Sequence, residues 1–178
     1  MLSRKRVAGY EIVGTIFIVI LGSALHFTYE LSGKLAIVAA FSAVNESVWE
    51  HLKLAFWPSL IWLLLEYLPV KKLTSNFLLA KTLGTYLMIV IIPIVFYSYT
   101  SITGRSIFVI DIATFIVAIV VGQIISYSLF KKKQLPRIAD KIALVMLAVL
   151  GIAFIIFTFH PPHLPIFQDP ISRGYGIA

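Results

Sequence analysis

Residues 45–53 read Asn45, Glu46, Ser47, Val48, Trp49, Glu50, His51, Leu52, Lys53: two carboxylates, an imidazole, an amide and an ammonium group in one short stretch. The run around them, Leu35 to Leu68, is otherwise apolar. Ionisable groups at membrane depth cost about 2.5–3.5 kcal/mol each on insertion scales, so those retained there mark functional sites by default. Imidazole and carboxylate together suit zinc, iron or manganese, and facing helices of a bundle are a usual source of such ligands. His26 and Glu30 stand four residues apart, as do Glu46 and Glu50, so each pair shares one helix face. His160 and His163 flank two prolines and add imidazoles on a stiff segment. The candidate metal ligands are therefore His26, Glu30, Glu46, Glu50, His160 and His163, around a divalent metal, zinc first and iron or manganese as alternatives. Glu50 is the expected general base where it is not a ligand, and His51 the second catalytic candidate. One turn rule separates these two: neighbours on a helix lie about 100° apart, so Glu50 and His51 cannot aim at one point. The wider polar set is Tyr29, Asn45, Ser47, Lys53, Asp111 and Asp169.

A structural reading stands beside the chemical one. Glu46, Glu50 and Lys53 recur at helical spacing and can neutralise one another without any ligand. Ser47 suits a helix cap better than a nucleophile, since no G-x-S-x-G turn surrounds it. Trp49, Tyr29 and Tyr175 are expected as interfacial aromatics. Glu11, Glu66 and Asp140 are expected to pair with adjacent basic residues, and Gln123 and Ser126 to serve as interhelical polar contacts. Asp169-Pro170 and Gly174-Tyr175-Gly176 read as turns.

The elements that must position these groups are membrane helices. The 178 residues are 60% hydrophobic and 13% charged, and the mean hydropathy is +0.96, well beyond the usage of a soluble domain. There are no cysteines, which excludes disulfides and thiolate metal sites. The basic start, Arg4-Lys5-Arg6, precedes an apolar stretch too long for a secretory h-region of about 7–15 residues, so it reads as a first span over residues 7–29. As a single helix the run 35–68 would reach about 50 Å, against roughly 30 Å of hydrocarbon. Ser47-Val48-Trp49-Glu50 fits a capping box, so a break is expected there, between a short segment at 34–44 and a second span at 47–68 closed by Pro69 to Lys72. Further spans are expected at 76–99, 107–130 and 138–159, with kinks at Pro58 and Pro93. The fold class is thus an all-α integral membrane bundle of about five transmembrane helices in a single domain, 1–178. Residues 160–178 form a proline-rich tail suited to act as a lid over the bundle.

Arg4, Lys5, Arg6, Lys71, Lys72, Lys81, Lys131, Lys132, Lys133, Arg137 and Lys141 fall on one side of this topology. The positive-inside rule then places the N-terminus in the cytoplasm and the C-terminus outside, in a multi-pass protein of the cell membrane. The clustering of positive charge between spans reads as topology rather than as a nucleic-acid surface. All four histidines converge near the extracytoplasmic face, with Glu30, Glu46, Glu50, Asp111 and Asp169.

The stretch 45–53, with His26-Phe27-Thr28-Tyr29-Glu30 upstream and Pro161-Pro162, Phe167-Gln168-Asp169-Pro170 and Tyr175-Gly176-Ile177 downstream, resembles the signature of a family of small prokaryotic membrane proteins of unknown function. On ligand types alone the chain is also similar to the ceramidase-like membrane hydrolases, which implies zinc held by histidines and an aspartate. Three functions are compatible with the sequence. One is a metal-dependent hydrolase acting on a lipid or small amphiphile at the outer leaflet. Another is a module that binds or carries a small solute, ion or proton through the same polar cluster. The third is a structural protein whose cluster only sets helix packing. The expected partner is membrane lipid, not nucleic acid, and five spans are compatible with assembly of several copies.

Overall fold

A computed structural model describes residues 2–177. Met1 and Ala178, the ends of the expected domain, lie outside the described residues. The described chain is all-helical: α1 (Leu2–Leu31), a single turn α2 (Ala36–Ala39), α3 (Val48–Lys71), α4 (Phe77–Thr103), α5 (Phe108–Leu129), α6 (Ile138–Phe159) and a short 3₁₀ turn (Pro165–Phe167). Five of these helices, α1 and α3–α6, are long and apolar enough to cross a membrane. Their outward faces need lipid. Ile12, Ile16 and Ile20 line the outside of α1 at 63, 54 and 64% exposure, and Val145, Val149, Ile152 and Ile156 do the same on α6. An i, i+4 stripe of bare isoleucine has no stable place in water.

The over-long apolar run breaks where the sequence predicts. After α2 the chain unwinds, and Ser47 takes extended backbone angles as the N-cap of α3, its hydroxyl accepting the Glu50 amide at 3.4 Å. Only this half of the capping box forms. The Ser47 amide donates instead to Asn45 Oδ1, 2.9 Å away, and Glu50 turns into the bundle. At its other end α3 continues through Pro69 to Lys71, three residues past the expected stop at Leu68. Pro58 and Pro93 both lie inside continuous helices.

The central helix is α3, which packs against α1, α4, α6 and the 3₁₀ turn. In lipid, apolar burial does not favour helix against helix over helix against acyl chain, so close approach and polar contacts must hold the bundle. Gly84 on α4 faces Gly122 on α5: a Cβ on Gly122 would stand 2.7 Å from the Gly84 carbonyl oxygen. Gly22 brings α1 against the α3 backbone at Leu54 in the same way. The two connections α3–α4 and α5–α6 are tied together by Asn76, in left-handed backbone (φ 55°), which donates to the Lys133 carbonyl and accepts the Leu135 amide. That end carries the start of α1, Lys71, Lys72 and Lys131–Lys133. The opposite end carries the α2 loop, the start of α3, the end of α6 and the tail, and there the sequence placed its chemistry.

Candidate functional site

Three side chains from three elements meet at that end. His26 projects from the last part of α1, Glu46 from the loop before α3, and His51 from the first turn of α3. The two imidazole Nε2 atoms are 3.2 Å apart. His26 Nε2 lies 3.7 Å from Glu46 Oε1, and His51 Nε2 lies 3.5 Å from Glu46 Oε2. With one ligand atom taken from each residue, all three lie within 4.8 Å of one another. In a tetrahedral zinc site with bonds of about 2.0–2.1 Å, neighbouring donor atoms stand about 3.3 Å apart. The histidine pair already has that spacing, and the half-exposed Glu46 has to rotate only slightly to bring one oxygen toward both rings.

The tautomer of His51 is set by its surroundings. Its Nδ1 lies 2.8 Å from the Ser47 carbonyl oxygen, which accepts only from an N–H, so the Nε2 lone pair is left facing His26. A second hydrogen bond of this kind orients metal-binding imidazoles and makes the free nitrogen a better donor. Glu46 is stabilised as the carboxylate. The close His26 imidazole holds its pKa below the ordinary 4.5, with His51 adding to the effect against partial burial and the charge of Asp169.

Beside this triad is a cleft of about 530 Å³, lined by His26, Phe27, Glu30, Asn45, Glu46 and residues of the tail from Asp169 to Gly176. Its lining contains three carboxylates and no lysine or arginine. The tail forms one wall because it is docked. Phe167 is buried against Trp49, ring centroids 4.8 Å apart, and Asn45 Nδ2 donates to the Gly176 carbonyl at 2.9 Å. Gly176 adopts φ 64°, and a Cβ there would meet the Thr158 carbonyl at 2.9 Å, so this position is closed to other residues. Asp169 closes a turn, accepting from the Ile171 amide and, at 2.6 Å, from the Ser172 hydroxyl. Burial alone would raise its pKa, but the Ser172 and backbone hydrogen bonds outweigh that and hold it below the ordinary value.

The chain matches, over residues 2–177, a family described as of unknown function, DUF6512. It belongs to that family. No curated protein and no solved structure matches the chain, and the expected similarity to ceramidase-like hydrolases finds no support there.

The residues expected at the site divide sharply. Glu50, expected as ligand or base, is 2% exposed and points into the bundle, where its carboxylate pairs with Lys53 Nζ at 2.5 Å. Lys53 also donates to the Ala39 carbonyl and the Thr158 hydroxyl, both at 2.8 Å, so its three N–H groups are satisfied. Glu50 Oε2 further accepts the Val44 amide. This is the structural ion pair, and it pins the unwound loop and α6 to α3. The 100° offset from His51 is what separates the two roles. Glu30 lines the cleft but faces Lys34 at 3.6 Å on the surface. His160 is exposed at the end of α6, and His163 stacks on Tyr175 within the tail at 4.6 Å. Neither joins the His26–Glu46–His51 group, and neither lines the cleft. Asp111 accepts from Tyr99 at the α4–α5 turn and is not part of the lining. Tyr29 is buried at 4% exposure, its amide donating to Ser42, rather than interfacial, and Trp49 lies beneath the tail.

Glu11 and Glu66 do pair with a lysine, as expected, but with one that is distant in sequence and buried. Both reach Lys81 of α4 inside the bundle, together with Gln123. The available signal was three charges inside apolar spans, the same signal that singled out residues 45–53.

Proposed function

We propose that His26, Glu46 and His51 hold a divalent metal, zinc by donor type and geometry, and that the protein is a membrane-embedded hydrolase acting on a lipid or small amphiphile. The observation that carries this reading is the triad itself: two Nε2 atoms at 3.2 Å and a carboxylate at 3.5–3.7 Å, beside an open cleft. Three protein ligands leave a fourth position for water, and zinc lowers the pKa of such a water to about 7. Glu30 takes the role of general base: it lies one turn from His26 on the cleft wall and its contact with Lys34 is long and solvent-exposed, whereas Glu50 is held in a buried pair by Lys53 and Asp169 by its own turn. Phe27 and Leu31, 61 and 83% exposed, edge the cleft on the lipid side and give an acyl chain a route in. The excess of lysine and arginine at the opposite end supports an extracytoplasmic cleft by the positive-inside rule. The lining of carboxylates without lysine or arginine favours one second reading, binding of a cationic solute without chemistry.

Elemental analysis of protein purified without added metal tests the proposal. The expected result is near-stoichiometric zinc, iron or manganese that falls in His26→Ala and His51→Ala and is kept in His160→Ala and His163→Ala. A folded, metal-free protein that also fails to take up zinc at micromolar concentration refutes the metal centre and leaves the solute-binding reading.

A further inference from the structure

A second charged cluster lies in the half of the bundle away from the cleft. Glu11 of α1, Glu66 of α3, Lys81 of α4 and Gln123 of α5 converge there, at 5, 0, 4 and 4% exposure. Lys81 Nζ is 2.7 Å from Glu11 Oε1 and 3.1 Å from Gln123 Oε1, and it pairs with Glu66 Oε1. Trp62 Nε1 donates to the other Glu66 oxygen at 3.0 Å. Glu66 stands sixteen residues beyond Glu50 on α3, about 24 Å along the axis, so this cluster is separate from the cleft.

Its charges do not balance. Two carboxylates face one ammonium group, and Lys81 is the only charged side chain paired with either among the described residues. The remaining neighbours, Gln123 and Trp62, are neutral. An uncompensated charge held away from water is strongly destabilising, and two carboxylates sharing one site do not both ionise. The hydrogen bonds are incomplete in the same place. Glu11 Oε2, Glu66 Oε1 and Gln123 Nε2 are buried with no hydrogen-bond partner, the Glu66 oxygen facing Lys81 only as an ion pair. Lys81 donates to Glu11 Oε1 and Gln123 Oε1 and lies beside Glu66 Oε1, so Glu11 Oε2 is left without a donor. The missing component carries one positive charge and almost no volume. A metal cation would need several oxygen ligands, and the centre of the cluster already holds the Lys81 ammonium.

We propose that Glu11 and Glu66 share one exchangeable proton, which makes this cluster a proton-binding site independent of the cleft. Glu66 lies five residues before the end of α3, about 7.5 Å from the basic end of the bundle, and the proton exchanges from that side. Toward the cleft the way is apolar as far as the Glu50–Lys53 pair: Leu63 and Phe56 are buried along α3, with Ser59 bonded to Met88 between them.

Infrared spectroscopy of the full chain in lipid nanodiscs at neutral pH tests this. The expected spectrum has a protonated-carboxyl C=O band of single-group intensity that shifts in D₂O. Glutamate labelled with ¹³C should shift the same band, which separates it from aspartate. Glu11→Gln and Glu66→Gln should each remove the band completely, because the carboxylate that remains is balanced by Lys81. Glu46→Gln should leave it unchanged. No such band in the wild-type protein, or a band that survives in a folded Glu11→Gln or Glu66→Gln chain, overturns the proposal. Either variant suffices if the other fails to fold.

Discussion

Two glutamates four residues apart, Glu46 and Glu50, should respond to substitution in opposite ways. Glu50 and Lys53 are 2 and 0% exposed, so Lys53→Met leaves a carboxylate buried with no counter-charge and strips donors from Ala39 and Thr158. Removing one partner of a buried pair costs about 3–5 kcal/mol. For a chain of this size that corresponds to a fall in Tm of roughly 6–20 °C, at about 2–4 °C per kcal/mol. Replacing both residues, in Glu50→Leu with Lys53→Met, removes the stranded charge and should recover most of the loss. Glu46 has a side chain 44% exposed, and its contacts to His26 and His51 are screened by water. Glu46→Gln should therefore change stability by less than about 1 kcal/mol while it lowers metal content. The assay is thermal unfolding in detergent followed by tryptophan fluorescence, with metal analysis on the same samples. The reasoning fails if Glu46→Gln is as destabilising as Lys53→Met. It fails equally if Lys53→Met is neutral, because the pair would then not be bearing on the fold.

Three other outcomes follow from particular contacts. The depressed pKa of Glu46 means that its contribution to stability is present above the ordinary carboxylate value of 4.5 and is lost as pH falls through the lower folded value; an acid titration of Tm should show this loss below 4.5 in the wild type and less of it in Glu46→Gln. Zinc takes imidazole only in its neutral form, so zinc affinity measured by competition with a chelator should fall as the pH is lowered and the two histidines protonate. Gly176→Ala puts a Cβ against Thr158 and strains a backbone at φ 64°, a local cost of about 1–3 kcal/mol; limited proteolysis should then cut the tail before the bundle unfolds, and Asn45→Ala should do the same more weakly by removing the Gly176 hydrogen bond.

Much of this architecture is written locally. Five apolar segments of spanning length, the break before Val48 and the Ser47 cap depend on composition, length and a single side chain-to-backbone bond. Each needs only neighbours in sequence, which is why α6 begins and ends at the residues expected for it. The gathering of His26, Glu46 and His51 at one end follows from alternation of the spans, and that too is legible without coordinates. The choice between Glu50 and His51 is not. Both sit in the first turn of α3, and only the rotation of that helix against α1 and α6 decides that His51 faces His26 while Glu50 faces Thr158. His160 and His163 share the same end but miss the triad, because the path of the tail is set by Phe167 under Trp49 and by Gly176 at Thr158.

The sequence by itself determined the solvent of this protein, the number of its spans and the end of the bundle where its candidate site lies, since hydropathy, length and caps are properties of contiguous residues. Tertiary structure decided which charges are partners. Lys81 meets Glu11 across 70 positions, and Lys53 meets Thr158 across 105. Such pairings depend on the depth and rotation of each helix against the others, and no periodicity within one segment records them.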